Sequence, residues 1–512
     1  MNGAEALART LVACGIDTIF ANPGTSEMHF VSALDRVEGL RCVLGLAETV
    51  VTGCTDGYGR VTGRPAATLM HCGPGLANGL ASLHNAKRGF TPIVNVVGDQ
   101  ATYHRPLDAP LTADTEGLAR TVSQWVRTTS RAEDVGADAA AAVQAARAAP
   151  GNVATLVLPA DCAWNEGAAP AARLPKIERA TVSPEAVAVA ARRLKSGQAA
   201  MILLAGAGLS ERAVRAAWRI SKATGAMLRA PTQVSRLARG RGRVALDRLP
   251  YAVDLAVKVL EPVQHLILAG GRVPVGFFAY PGKPGVLAPK GCETHVLARV
   301  EEDVEAALEA LADAVGAQDV PIPLAPRPEA KRGPFEPVAF GETLAALLPE
   351  NAYVVEDAVT SGRAIFPPTY GAAPHHWSHV TGGVIGFAFS AATGVAVGAP
   401  DRKVVCLQAD GGGMYCLQAL WTQAREKLDV VNIVFANRRY AILQGELAAV
   451  GAQPGPASKA LFSLAEPEIR WTRLAEGLGV EAVRVETLEA FADAFRAACA
   501  KRGPFLIEFA IA

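Results

Sequence analysis

Short runs of β-branched and other apolar residues alternate along the chain with longer stretches of amphipathic spacing. In the first third, Thr18–Phe20, Cys42–Gly45, Ala67–His71, Ile93–Val97 and Val153–Leu158 predict strands, while Ala47–Val61 and Ala139–Ala148 predict helices. The middle repeats the pattern, with strands predicted at Met201–Leu204, Met227–Arg229, His265–Leu268 and His295–Ala298. So does the last third, at Tyr353–Glu356, Val404–Leu407, Val430–Phe435, Glu481–Val485 and Phe505–Phe509. Strands separated by helices imply βαβ units, hence parallel sheets covered on both faces. Two stretches rich in Pro, Ala and Gly, Asn165–Pro184 and Gly316–Pro337, interrupt the alternation and predict extended linkers. The expectation is three doubly wound α/β domains with mainly parallel sheets, at 1–165, 181–318 and 338–512, the first and last similar to each other.

A chain of 512 residues fits about three domains at roughly 150 residues each. Fifty basic residues against forty-nine acidic leave a net charge of +1, which argues against a nucleic-acid partner. No basic head precedes an apolar run at the N-terminus, and no apolar run approaches the ~20 residues that span a bilayer. The nine cysteines form no CxxC pair, which fits reduced thiols and a cytoplasmic setting, with neither a disulfide framework nor a structural zinc site. A soluble α/β enzyme without a membrane partner is expected.

The sharpest chemical signal is Val404-Val405-Cys406-Leu407-Gln408-Ala409-Asp410-Gly411-Gly412-Gly413. An apolar strand ends in an acid and three glycines, and a helix is predicted from Met414 through Leu417, Leu420 and Trp421. Such a strand end suits a metal-bound phosphate group. A second strand ends at Asn437, 27 residues after Asp410. Adjacent strand ends would offer two hard oxygen ligands, as Mg²⁺ prefers. A structural glycine turn and a loop-capping asparagine are the plain alternative.

This arrangement resembles the fingerprint of the thiamine-diphosphate-dependent enzymes, Gly-Asp-Gly followed some twenty residues later by Asn. Ala409 replaces the first glycine, a change tolerated where the backbone is not in a glycine-only conformation. The resemblance implies that Asp410, Asn437 and the main-chain oxygen of Arg439 hold Mg²⁺, and that Gly411, Gly412 and Thr360 contact the diphosphate. Cys42–Glu48, followed by Asp56-Gly57-Tyr58-Gly59-Arg60, looks like the segment carrying the glutamate that activates the aminopyrimidine; that residue is Glu48. Thr381–Phe389 looks like the segment that bends the cofactor, with Ile385 as the wedge and the carbonyl of Gly383 as acceptor of the cofactor amine. Pro23 and Ile442 are implied as further cofactor contacts.

The resemblance spans the whole chain, in the order pyrimidine-binding, central and diphosphate-binding domain. It is closest to the acetolactate synthase and benzoylformate decarboxylase group. Phe20-Ala21-Asn22-Pro23-Gly24-Thr25-Ser26-Glu27 is nearer the decarboxylase loop, which places Thr25 at the substrate carboxylate and His71 on a catalytic histidine. A histidine there can relay a proton at neutral pH. The second active-site histidine of the decarboxylase has no counterpart: Phe278 stands near that place, and Glu446 replaces an aromatic residue. His104 is expected at the surface, and His375, His376 and His379 in loop or strand without a metal. The implied activity is decarboxylation of a 2-oxo acid, or, as the alternative, acetolactate synthase-like carboligation with a second carbonyl compound. The implied assembly is a homodimer or homotetramer. FAD binds the central domain of acetolactate synthases; the pattern here leaves room for it without indicating it. A cofactor binder without chemistry is disfavoured by Glu48, and a nicotinamide dehydrogenase by the lack of GxGxxG after the first strand.

Overall fold

The structure, a computed structural model, describes residues 1–511. Seventeen strands form among them: β1 (Thr18–Asn22), β2 (Arg41–Leu44), β3 (Ala66–His71), β4 (Ile93–Asp99), β5 (Trp125–Thr128), β6 (Val153–Pro159), β7 (Ala200–Leu204), β8 (Met227–Arg229), β9 (Leu237–Arg239), β10 (His265–Ala269), β11 (Glu293–Ala298), β12 (Tyr353–Asp357), β13 (His375–His379), β14 (Val404–Ala409), β15 (Val430–Ala436), β16 (Glu481–Val485) and β17 (Phe505–Ala510). They build three sheets, ordered β2-β1-β3-β4-β6-β5, β11-β10-β7-β8 and β16-β17-β15-β14-β12-β13-β9. Every pairing is parallel except β13 with β9. Read from its own first strand and leaving β9 aside, the third sheet repeats the order of the first. The expected likeness of the two ends is therefore present in their topology.

Central strands such as β4, β6 and β15 are buried at every residue, which explains why they read as continuous apolar runs without alternation. The chain does not divide its sheets strictly in sequence order. β9, which follows β8 of the four-stranded sheet, pairs antiparallel with β13 and closes the edge of the third sheet. There Arg239 is wholly buried, its guanidinium over the rings of Phe366 and Tyr370 and bonded to Thr369 Oγ1 and the carbonyl of Phe366. The helix predicted from Met414 starts elsewhere: a short helical turn runs over Asp410–Gly413 and a separate helix over Ala419–Arg425. The turn can form at the acid because Gly411, Gly412 and Gly413 pack closer to Tyr440, Gln408 and Trp471 than a Cβ would allow.

The first and third sheets are joined by helix Glu48–Thr62 against helix Phe387–Gly398, within one apolar cluster containing Val50, Val51, Cys54, Tyr58, Phe387, Ala391 and Val395. Small residues permit the approach. A Cβ on Gly57 would lie 2.0 Å from the carbonyl oxygen of Ala391, and one on Gly394 would lie 1.7 Å from that of Cys54. We therefore expect Gly57→Val to destabilise by ~1–3 kcal/mol through overpacking, read as a lower urea midpoint. Gly445→Ala, in helix Ala441–Ala449 with nothing within 4 Å, should leave that midpoint unchanged or raise it.

Candidate active site

In both large sheets the strand order reverses beside the first strand, between β1 and β3 and between β12 and β14. In doubly wound folds the crevice outside the carboxyl ends at such a point receives ligands. The residues singled out in the sequence follow the carboxyl ends of the strands in and next to these crevices: Pro23, Thr25 and His71 at β1 and β3, Glu48 after β2, Thr360 and Asp410 after β12 and β14, Gly383 and Ile385 after β13, and Asn437, Arg439 and Ile442 after β15.

At the first, β1 leads through Pro23 and Gly24 into a single helical turn, Thr25–Glu27. A Cβ on Gly24 would lie 2.3 Å from His71 Cγ, so the close approach of this loop to the histidine requires glycine. His71 ends β3, and its Nδ1 lies 3.0 Å from Glu27 Oε2 and 2.9 Å from Ser26 Oγ. Glu27 is buried, with Gly98 of β4 leaving room for its carboxyl. Burial pushes that carboxyl up, opposed by hydrogen bonds from Ser26, the main chain of Gly24 and His71. His71 Nε2 makes no hydrogen bond among the described residues, so the ring is fixed at one nitrogen and free at the other. That is the layout of a positioned proton carrier. Thr25 is exposed and makes no side-chain hydrogen bond there; Ser26 and Glu27 are the loop residues that reach His71. Glu27 carried no sequence signal of its own, since it lies 44 residues from the histidine it holds.

Glu48 opens its helix half-buried, and Asn78 Nδ2 donates to its Oε2 at 3.2 Å. No hydrogen bond or ion pair among the described residues links Glu48 or His71 to Asp410 or Asn437; each carboxyl edge carries its own set. The edges are nonetheless coupled nearby, through Thr49 Oγ1 with Cys416 Sγ at 3.6 Å and Thr422 Oγ1 donating to the carbonyl of Leu44 at 2.9 Å.

At the second reversal point, β14 pairs with β15 in a register that opposes Ala409 to Phe435, so Asp410 and Asn437 follow adjacent strand ends. Ala409 has φ −74° and ψ 148°, a conformation open to any residue, which accounts for alanine in place of glycine. Asp410 is 3 % exposed. Burial pushes its carboxyl up, and the main-chain N–H groups of Gly411 and Arg438 donate to its two oxygens, each at 2.7 Å. Among the described residues no cationic side chain lies within 4 Å of it. Asn437 Oδ1 accepts the N–H of Arg439 at 3.1 Å, and Arg438 between them is left-handed at φ +57°. A buried acid without a counter-cation beside an amide oxygen is a donor set that fits a hard divalent ion. The helical turn Asp410–Gly413 presents the start of a helix beside the acid, which suits a phosphate, and packing keeps its glycines: a Cβ on Gly411 would strike Tyr440 at 2.4 Å, and one on Gly412 would lie 2.9 Å from Gln408 Nε2. Thr360 lies in the short helix Val359–Gly362 directly after β12, and Val359 takes φ +50°, a strained value for a β-branched residue.

Gly383 and Gly386, at φ +76° and +88°, frame Val384 and Ile385. Asn85 pins this turn: its Oδ1 accepts the N–H groups of Gly382 and Val384 at 3.0 and 3.2 Å, and its Nδ2 donates to the carbonyl of Val384 at 2.9 Å. Phe277, rather than Phe278, packs on Gly383, whose Cβ would lie 2.4 Å from the Phe277 ring. Glu446 accepts the hydroxyls of Tyr280 at 2.6 Å and Tyr251 at 3.1 Å, which occupies both carboxylate oxygens. Ile442 lies one turn earlier on that helix, half-buried. His375 and His376 are buried in β13, where burial holds them down to about 3 and about 2, so both are neutral strand residues.

Comparison with known proteins agrees with this layout. Residues 1–125 match the thiamine pyrophosphate enzyme N-terminal TPP binding domain, and residues 366–509 match the C-terminal TPP binding domain. The chain is 50% identical, over 100% of its length and 99% of the other, to the Mycobacterium tuberculosis protein that carries the name acetolactate synthase large subunit IlvX. It is 28% identical to benzoylformate decarboxylase of Pseudomonas aeruginosa, over 96% of each chain. Among solved structures, the thiamine diphosphate-dependent 4-hydroxybenzoylformate decarboxylase of Rhodococcus jostii RHA1 superposes with a TM-score of 0.88 at 26% identity, over 100% of this chain and 99% of that one. With matching domains at both ends and a relative that is half identical throughout, the chain belongs to the thiamine pyrophosphate enzyme family, in the group of acetolactate synthases and benzoylformate decarboxylases.

Proposed function

We propose that the protein is a thiamine-diphosphate- and Mg²⁺-dependent decarboxylase of a 2-oxo acid, of the benzoylformate decarboxylase type. The observation that carries this reading is His71 held by buried Glu27 beside the Pro23–Glu27 loop, because decarboxylation to an aldehyde needs a group that delivers a proton to the reacting carbon. The bound cofactor supplies a carbanion nucleophile and an electron sink for the carbon that loses CO₂. Asp410, Asn437 and the main-chain oxygen of Arg439 hold the metal, and Gly411, Gly412 and Thr360 hold the diphosphate. Ile385 would serve as the wedge beneath the cofactor, the carbonyl of Gly383 would accept its amine, and Pro23 and Ile442 would line the remaining surface. Glu48 hands a proton to and from the aminopyrimidine. Thr25 binds the substrate carboxylate, and His71 delivers and removes protons at the substrate.

A second reading is favoured by the half-identical relative named as an acetolactate synthase large subunit: carboligation with a second carbonyl compound. The two share every residue up to the fate of the decarboxylated carbon. We also propose a homodimer or homotetramer, in which the first and last domains of two chains complete each site, working in the cytoplasm. No helix among the described residues is long and apolar enough to cross a membrane.

Two experiments test this. A panel of 2-oxo acids, assayed with thiamine diphosphate and MgCl₂ for both CO₂ and condensation product, should yield CO₂ with aldehyde as the main product. Predominant condensation would select the carboligase, and no CO₂ from any member would remove both. Second, Glu48→Gln should slow C2–H exchange of the bound cofactor, followed by NMR before substrate is added. His71→Ala should leave that exchange intact and lower turnover ~10²–10⁴-fold. Wild-type exchange in Glu48→Gln, or unchanged turnover in His71→Ala, contradicts the corresponding role.

A further inference from the structure

Asp357 ends β12 at the second reversal point, one strand away from the β14 end that leads into Asp410. Its side chain is 1 % exposed. Oδ2 accepts the main-chain N–H groups of Gly386 at 2.6 Å and Phe387 at 3.0 Å, and Gln408 Nε2 at 3.1 Å. One carboxyl oxygen thus joins the start of helix Phe387–Gly398, which directly follows Gly383–Ile385, to the strand that carries the diphosphate loop. The loop itself packs on the same group: a Cβ on Gly412 would lie 2.9 Å from Gln408 Nε2 and 3.8 Å from Asp357 Oδ2, and one on Gly386 would lie 3.1 Å from the carbonyl oxygen of Gly412.

The other half of this cluster is unsatisfied. Asp357 Oδ1 and Gln408 Oε1 are both buried with no hydrogen-bond partner. Two orphaned acceptors in one buried cluster are costly if the carboxyl is ionised. A proton on Oδ1 turns one of the two unpartnered acceptors of the Asp357–Gln408 pair into a donor. The charged and titratable groups facing Asp357 do nothing to hold it ionised. Glu356 adds a negative charge, and the Cys406 and Cys416 thiols are kept protonated by burial. Burial pushes Asp357 up to about 7, against hydrogen bonds from Gln408, Gly386 and Phe387.

We propose, building on the cofactor reading above, that Asp357 is a positioning residue which locks the Gly383–Gly386 turn to the diphosphate loop, and that it takes up a proton when the diphosphate binds. The physical reason is charge. Gly412 separates Asp357 from the place assigned to the diphosphate, whose negative charge exceeds that of the one Mg²⁺ held with it, and the excess disfavours a further negative charge behind the glycine. The bound state therefore holds the Asp357 proton to higher pH than the free state. Affinity falls as pH rises above about 7, by at most tenfold per pH unit for one proton.

The test is titration calorimetry of the whole protein with thiamine diphosphate in excess MgCl₂, from pH 6 to 8.5, in two buffers of different ionisation enthalpy. Because the diphosphate titrates on its own, the readout is the difference between wild type and Asp357→Asn. Asparagine keeps an acceptor for Gly386 and Phe387, offers an N–H to Gln408 Oε1, and carries no proton to exchange. It should bind within about threefold of wild type at pH 6 and lose both the excess proton uptake and the extra pH slope. Asp357→Ala, which cannot bridge at all, should bind at least ~10-fold more weakly at every pH, as expected for losing several buried hydrogen bonds. Circular dichroism confirms that each variant is folded; should the alanine variant not fold, the asparagine comparison decides alone. Identical proton uptake and slope in wild type and Asp357→Asn overturn the proton-linked role. Wild-type binding by folded Asp357→Ala overturns the positioning role. Absence of binding by the wild type at any pH overturns the cofactor reading itself, and this inference with it.

Discussion

The close parallel contact between helices Glu48–Thr62 and Phe387–Gly398 is the constraint on which the arrangement of this molecule rests. Gly53 meets Ser390, Gly57 meets Ala391, Cys54 meets Gly394, and Val61 and Thr62 meet Gly398, so the two helices run in step from end to end. Their N-termini consequently lie at the same end of the interface. One N-terminus carries Glu48, and the other follows Ile385 directly. Larger side chains at these glycines would separate the sheets, and with them every residue placed at their carboxyl edges.

Each large sheet contributes a different kind of chemistry from the same topological position. The first presents His71, its orientation set by Glu27 and Ser26. The third presents the side-chain oxygens of Asp410 and Asn437 beside three glycines, set by the register of β14 on β15. Both depend on burying an acid in the segment that follows a strand, Glu27 after β1 and Asp410 after β14. Glu27 and Asp410 are each pushed up by burial; Asp410 is compensated by main-chain hydrogen bonds, and Glu27 by hydrogen bonds and by His71. The difference lies in what remains open: at His71 a ring nitrogen, at Asp410 a carboxylate facing no cation of the chain. Such perturbed acids gathered at a fold's ligand crevice mark a working site more strongly than a structural one.

Much of this was legible in the sequence. Buried parallel strands announce themselves as apolar runs, and the Asp410 to Asn437 spacing stands out because both residues sit at strand ends. What escaped did so for physical reasons. β5 is a short, partly exposed edge strand containing Arg127, and β9 has three residues and owes its conformation to β13, more than a hundred residues away. Glu27 and Asp357 look like ordinary acids in sequence; their roles arise from partners at positions 71 and 386–408 that only the fold supplies. Helix begins at Asp410 and not at Met414, because the three glycines, which in a sequence favour a loop, here form a helical turn.

If the Asp410 strand end holds the diphosphate through a divalent ion, that ion must govern cofactor binding. The decisive comparison is equilibrium binding of thiamine diphosphate to folded wild type and folded Asp410→Ala, each titrated with MgCl₂. Wild type should bind tightly and only with Mg²⁺, and the variant should lose that dependence and bind at least ~100-fold more weakly, since a buried charged ligand has been removed. Equal, Mg²⁺-dependent binding by both proteins would remove Asp410 from the metal site.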